Sequence, residues 1–173
     1  MTSKRTKPSD PAGDQRAIAI LKELADMTEE NDLKIALYPH YLFWLETIED
    51  AVRLAEKIDR PAVGVTFNLC HWLAVTPSEK ENTLKDTLIK AKPYLYLVTL
   101  NGATNEPGWN NLIQTLDQGT FETYKLLKIL KDLGYHNPIG LQGYGIKGNP
   151  RNNLQNSINT WNKLQQRLAK ESN

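Results

Sequence analysis

The chain has 173 residues, of which 40% are hydrophobic, enough to bury roughly 70% of the unfolded surface around one core. Twenty-one Lys and Arg against 20 Asp and Glu leave a formal charge of +1, which excludes a nucleic-acid or membrane partner recruited by net charge alone. Cys70 is the single cysteine and excludes an internal disulfide. The start Met-Thr-Ser-Lys-Arg lacks the apolar core of a signal peptide, and no stretch approaches the roughly 20 apolar residues of a membrane span, so one soluble, cytoplasmic domain is expected.

Residues 1–13, with Lys4, Arg5, Lys7 and two prolines, read as a frayed tail ahead of a folded domain over 14–173. From Asp14 the spacing of Ala17, Ile18, Leu21, Leu24 and Ala25 predicts an amphipathic helix closing near Glu29–Asn31. Leu33–Tyr38 then reads as a buried strand. Thr47 followed by Asp50 predicts a capping box, opening a helix with Ile48, Ala51, Val52, Ala55 and Ile58 inward, and Arg60-Pro61 ends it.

Val63–Phe67 is a short apolar run with β-branched and aromatic residues, as found in strands covered on both faces of a parallel sheet. Its C-terminal end delivers Asn68, Cys70, His71 and Trp72, at the place where ligands sit in α/β folds. Ser78 is a candidate cap for a helix with Leu84, Leu88 and Ala91 inward. Tyr94–Leu100 predicts a third strand, and the Gly- and Asn-rich stretch 101–119 is long enough to read as a functional loop. Thr120 is expected to cap a helix facing inward with Phe121, Tyr124, Leu127, Leu130 and Leu133, which Gly134 closes in the left-handed region. Pro138–Leu141 predicts a fourth strand, and Asn149-Pro150 opens the last helix, with Leu154, Ile158, Trp161, Leu164 and Leu168 inward. One helix followed by four strand–helix units predicts an α/β fold with a parallel sheet and right-handed crossovers.

The segments Lys34-Ile-Ala-Leu-Tyr-Pro-His40, Gly64-Val-Thr-Phe-Asn-Leu-Cys-His71 and Leu133-Gly-Tyr-His-Asn-Pro-Ile-Gly-Leu-Gln142, in this order and spacing, resemble the xylose isomerase-like TIM barrel superfamily. It includes sugar isomerases, sugar and sugar-phosphate epimerases, and endonuclease-IV-type enzymes. The resemblance runs from Asp14 onward in the register of barrel strands five to eight, so a partial (β/α)8 barrel is expected, without its front half. It implies isomerase or epimerase chemistry on a sugar or sugar phosphate. Metal-dependent members place glutamate, aspartate, histidine and glutamate at the ends of these strands, where this chain has Tyr38, Asn68, Thr99 and Gln142. Two amides, a phenol and a hydroxyl are poor ligands for a divalent cation, so no tightly held catalytic metal is expected. Neither glutamine nor tyrosine replaces a carboxylate base.

What the strand ends retain is suited to a neutral polyol. His40 and His71 are the candidate acid/base groups. Tyr38, Trp44, Asn68, Trp72, Asn101, Trp109, Gln142 and Tyr144 are the candidate substrate-binding residues: amides pair with vicinal hydroxyls, and aromatic faces cover the C–H surface of a sugar ring. Tyr41 lies in the same stretch, His136 falls at the opposite end of its strand, and Cys70 reads as a buried apolar side chain. The alternative reading is a non-catalytic carbohydrate- or polyol-binding half-barrel that works only as an assembly. Endonuclease chemistry lacks both its metal ligands and a basic surface. Four parallel strands leave two free edges and an expected concave apolar face, which predicts a homodimer or other association through those edges.

Overall fold

The computed structural model describes residues 7–104, 106 and 108–171. Four strands, β1 (Ile35–Leu37), β2 (Val63–Asn68), β3 (Leu95–Leu100) and β4 (Ile139–Leu141), form one parallel sheet in the order β1-β2-β3-β4. Helix α1 (Asp14–Glu29) precedes β1, and α2 (Ile48–Ile58), α4 (Leu84–Ala91) and α6 (Thr123–Asp132) connect successive strands. Helix α7 (Pro150–Lys170) closes the chain, while α3 (Leu69–Val75) and α5 (Trp109–Leu112) are short helices at the strand ends. Parallel neighbours joined by crossover helices, strand after strand, make half of a (β/α)8 barrel.

Local chemistry accounts for most boundaries. Thr47 accepts from the Asp50 N–H at 3.1 Å while Asp50 accepts from the Thr47 N–H at 3.0 Å, the reciprocal box expected for α2. Asn149 caps α7 by accepting from the Arg151 and Asn152 N–H groups. Gly134 adopts φ +68° after α6, the left-handed closure expected there. Two predicted starts shift. The Thr120 and Phe121 N–H groups both donate to the Ala103 carbonyl at 2.9 Å, which pulls the chain off a helical path, so α6 begins only at Thr123. Residues 78–83 form a 3-10 turn, and α4 starts at Leu84 without a side-chain cap.

The expected tail divides. Residues 1–6, including Lys4 and Arg5, lie outside the described residues, whereas Pro8–Gly13 is anchored. Asp10 caps a 3-10 turn over Pro11–Gly13, the Ser9 N–H donates to the Trp44 carbonyl at 2.9 Å, and its hydroxyl donates to Asp50 at 2.5 Å. Asp14 then accepts from Arg53 at 3.0 Å and Lys57 at 2.6 Å, tying the start of α1 to α2.

The register assigns the two faces of the sheet. Ile35, Leu37, Val63, Val65, Phe67, Leu95, Val98, Leu100, Ile139 and Leu141 share the helix-covered face, where Phe67, Val65 and Val98 are fully buried. Each such side chain contributes roughly 1.5–3 kcal/mol through burial. A shift of pairing between Val65 and Thr66 lets the β3 side chains change phase. The opposite face therefore carries Ala36, Tyr38, Gly64, Thr66, Asn68, Tyr96, Leu97, Thr99, Gly140 and Gln142. The concave face expected to be apolar is largely small and polar instead, with Tyr96 and Leu97 its large side chains. Gly64 is required there, because any β-carbon would run into the Tyr96 ring. No described helix is long and apolar enough to cross a membrane.

Candidate functional site

The polar face ends in a convergence at the C-terminal edge of the sheet. Tyr38 follows β1, Asn68 ends β2 and Gln142 follows β4, yet all three meet at one atom. The Tyr38 phenol oxygen accepts from Asn68 Nδ2 and from Gln142 Nε2 at 3.2 Å. Gln142 is fixed at both ends of its amide, since its Oε1 accepts from the Tyr144 N–H at 3.1 Å, and its own N–H donates to Leu100 O at 2.8 Å. Thr99, level with Asn68 in the register, brings a buried hydroxyl to the same edge. Burial, reinforced by the Cys70 thiol, raises the Tyr38 phenol above its ordinary range, so it remains protonated near neutrality.

Asn68 does three jobs at once. Its Oδ1 accepts from the His71 N–H at 3.4 Å, capping α3, and from the Cys70 thiol at 3.0 Å, while its Nδ2 holds Tyr38. Only 4% of the residue is exposed. Asn68 thus positions Tyr38 and α3, and its capacity for a ligand is largely spent. Burial pushes the Cys70 thiol up to about 12, which keeps it unreactive.

The cap on α3 aims His71 at the same edge. Its ring lies 4.0 Å from His40, 5.7 Å from Tyr38 and 5.5 Å from Trp109, centroid to centroid. Burial, and secondly the His40 charge, lowers the His71 pKa to about 4, so the ring is neutral at physiological pH. Its Nδ1 is buried without a partner. His40 sits in the turn after β1, its ring stacked at 4.2 Å on Phe43. Its Nδ1 lies 2.8 Å from the Tyr41 carbonyl. An acceptor at that distance assigns the proton to Nδ1 and leaves the Nε2 lone pair as the basic position. Tyr41 meets Trp109 edge to face at 5.9 Å, completing an aromatic wall.

Of the residues expected to bind substrate, Tyr38, Asn68, Gln142 and Trp109 share this edge with His40 and His71. The others are placed differently. Trp44 donates its indole N–H to the Asp10 carbonyl at 2.7 Å and lies over Gly13, holding the N-terminal segment. Trp72, 6% exposed, packs 6.0 Å from Phe67 in the core. Asn101 is fully buried and donates to the Gly102 and Leu112 carbonyls, both at 2.7 Å, so it clasps the β3–α6 loop around Trp109. Tyr144 is 79% exposed and contributes its backbone. Phe43 joins the wall without having been singled out from the sequence; an exposed aromatic just past a strand end is the signal that would have found it.

Residues 1–164 match the sequence model of the xylose isomerase-like TIM barrel. The chain belongs to that family. No curated protein matches it in sequence. Among solved structures it is similar to 3-keto-D-glucoside 4-epimerase from E. coli, with 20% identity and TM-score 0.69 over 96% of this chain and 57% of that one. It is similar also to a D-tagatose 3-epimerase-like protein, at 17% identity and TM-score 0.71 over 92% and 57%. A third is a xylose isomerase-like TIM barrel protein from Mycobacterium smegmatis in complex with magnesium, at 20% identity and TM-score 0.70 over 93% and 53%. At these identities the likeness establishes the family fold alone, and the chain spans little more than half the length of each structure. Among the described residues, no group of three or more His, Cys, Asp or Glu side chains is arranged to hold a metal ion.

Proposed function

We propose that this chain is the sugar- or polyol-binding half of an isomerase/epimerase-type barrel in which a hydrogen-bonded cluster stands where relatives keep a metal centre. The observation that carries this reading is the convergence of the Asn68 and Gln142 amides on the Tyr38 oxygen. A tightly held catalytic divalent cation is ordinarily bound through at least one carboxylate or imidazole with its lone pair turned inward. Here two of the groups present N–H donors to the third, and the fourth is a neutral hydroxyl, so this donor set does not fit a magnesium ion like that of the Mycobacterium relative.

The same groups suit a neutral ligand. Tyr38 and Gln142 bring a phenol and a primary amide to this edge, and the Trp109 ring offers a flat apolar face for a ring of C–H groups. The absence of a carboxylate among them favours binding over proton abstraction by this half alone. Any proton transfer falls to His40, whose Nε2 lone pair is available, while neutral, buried His71 supports the His40 ring from beneath. A neutral small-molecule ligand accords with the near-zero net charge.

Isothermal titration of a panel of ketoses, aldoses and polyols tests the reading. Gln142→Ala should weaken the best ligand by about 1–2 kcal/mol, the net worth of one or two hydrogen bonds, or roughly five- to thirtyfold. Trp109→Ala should weaken it comparably. Unchanged affinity in both variants moves the site elsewhere.

A further inference from the structure

The turn that carries His40 is fastened at its return limb. The His40 N–H donates to the Leu45 carbonyl at 2.8 Å, and the Phe43 N–H to the His40 carbonyl at 2.9 Å. Leu42, at the tip, has φ +68°, a conformation that a leucine keeps only where its surroundings impose it, and its N–H is held by Glu46 Oε1 at 2.9 Å. Trp44 ties this turn to residues 8–13. Its indole N–H donates to the Asp10 carbonyl at 2.7 Å, and its own carbonyl accepts from the Ser9 N–H at 2.9 Å. The Ser9 hydroxyl in turn donates to Asp50 Oδ2 at 2.5 Å, the same oxygen that accepts from the Thr47 N–H at 3.0 Å where the turn ends. Arg53, 2.5 Å from Asp50 Oδ1, holds that carboxylate in place.

We propose that residues 8–13 are a clamp that fixes the basic nitrogen of His40, with Gly13 and Trp44 as its positioning residues. The path is short. The clamp holds Trp44, Trp44 places the neighbouring Leu45 carbonyl, and that carbonyl holds the His40 N–H. His40 Nδ1 bonds at 2.8 Å to the Tyr41 carbonyl, a peptide inside the same turn, so the tautomer that leaves Nε2 basic follows from the shape of the turn. Gly13 gives access to this dependence. Its backbone, at φ −81° and ψ −16°, is one that alanine adopts freely, yet a β-carbon there would lie 2.5–2.7 Å from Trp44 Cε2, Nε1 and Cζ2. The indole would have to move, and its bond to Asp10 would go with it. Such a clamp preorganises the site, because the fraction of molecules with an ordered turn scales the apparent affinity. The inference rests on the proposed function in taking His40 as the acting base.

The test is NMR of the imidazole nitrogens in the full chain at about pH 8, where an ordinary imidazole is neutral, in the wild type, Gly13→Ala and Trp44→Phe. Leu130→Ala, a cavity in the core under α6, serves as a variant that loses stability without touching the clamp. The wild type should show His40 protonated on Nδ1 alone. Gly13→Ala should move the His40 nitrogens toward a mixture of both tautomers and leave those of His71, which rides on α3, where they are. Trp44→Phe, which removes the donor to Asp10 but keeps an aromatic ring, should move them the same way, and it carries the test where Gly13→Ala fails to fold. Unmoved His40 signals, or signals that Leu130→Ala moves as far, would overturn the proposal. Titration with D-fructose, D-glucose and D-sorbitol adds the functional readout: the tightest of them should bind more weakly by the reciprocal of the fraction that keeps the wild-type tautomer, twofold when that fraction is one half. A shifted tautomer with unchanged affinity would make the clamp structural only and overturn the proposal too. Failure of the wild type to bind any of the three, with a His40 that still responds to Gly13→Ala, sinks the binding reading and leaves the clamp standing.

Discussion

Tyr38→Phe removes one oxygen and leaves the ring in place against His71, so it isolates the acceptor shared by Asn68 and Gln142. Asn68 is 4% exposed, and its Nδ2 left without an acceptor costs about 1–3 kcal/mol, the desolvation penalty of a buried unsatisfied donor. Gln142 is only partly buried and recovers a partner from water, adding at most about 0.5 kcal/mol. A loss of about 1–3 kcal/mol is a substantial share of the roughly 5–15 kcal/mol that stabilises an ordinary domain. Asn68→Ala loses the same contact and also the cap on α3, worth about 1 kcal/mol. In urea unfolding followed by tryptophan fluorescence, the double variant should therefore be less destabilised than the two single variants added together, with a coupling of about 1 kcal/mol or more. Additivity to within about 0.5 kcal/mol would refute the shared acceptor.

Other expectations follow from the same geometry. His71 has a folded-state pKa of about 4 against an ordinary value of 6.5, so the unfolded chain binds its proton first. Its contribution to stability should be complete above pH 6.5 and disappear as pH falls toward about 4, and NMR of the imidazole should show a neutral ring at intermediate pH; a normal titration near 6.5 would contradict it. Asp14 is held below the usual carboxylate range chiefly by its hydrogen bond from Arg53, so Asp14→Asn should lower stability by about 1–3 kcal/mol, less than a fully buried pair because Lys57 is half exposed. That loss should shrink in acid as the wild-type carboxylate protonates, and equal melting temperatures at neutral pH would count against the network. Cys70, with its thiol pushed up to about 12, should react with a disulfide reagent only on unfolding; rapid labelling of the native chain would show that α3 opens.

Much of the architecture was legible because it is written in short-range signals. The Thr47–Asp50 box, the Asn149-Pro150 start and Gly134 each depend on neighbours within four residues. The central strand declared itself by its apolar run, and the strand ends by the polar residues following it. What could not be read were meetings across the chain. Trp44 holds Asp10, 34 residues away, and a tryptophan bound for such a contact looks like one bound for a pocket. Asn68 as helix cap and Asn68 as sugar ligand are the same residue until α3 is seen. The polar character of the inner face was hidden because strand alternation gives two sets of side chains without saying which set the helices cover, and the shifted pairing near Val65 changes phase midway. Thr120 carried a good capping side chain, but two backbone bonds to Ala103 decided where α6 begins.

The measurement that bears most directly on the account is calorimetric titration of the sugar and polyol panel into the purified chain, performed in chelator and again with excess manganese or magnesium. If Tyr38 and Gln142, held in place by Asn68, are themselves the binding element, the best ligand should bind with the same affinity in both, Gln142→Ala should weaken it roughly five- to thirtyfold in both, and the metal should leave the melting temperature unchanged, since a ligand stabilises only through what it binds. Binding that appears only with the metal, together with a rise in melting temperature, would show that these strand ends hold a cation after all.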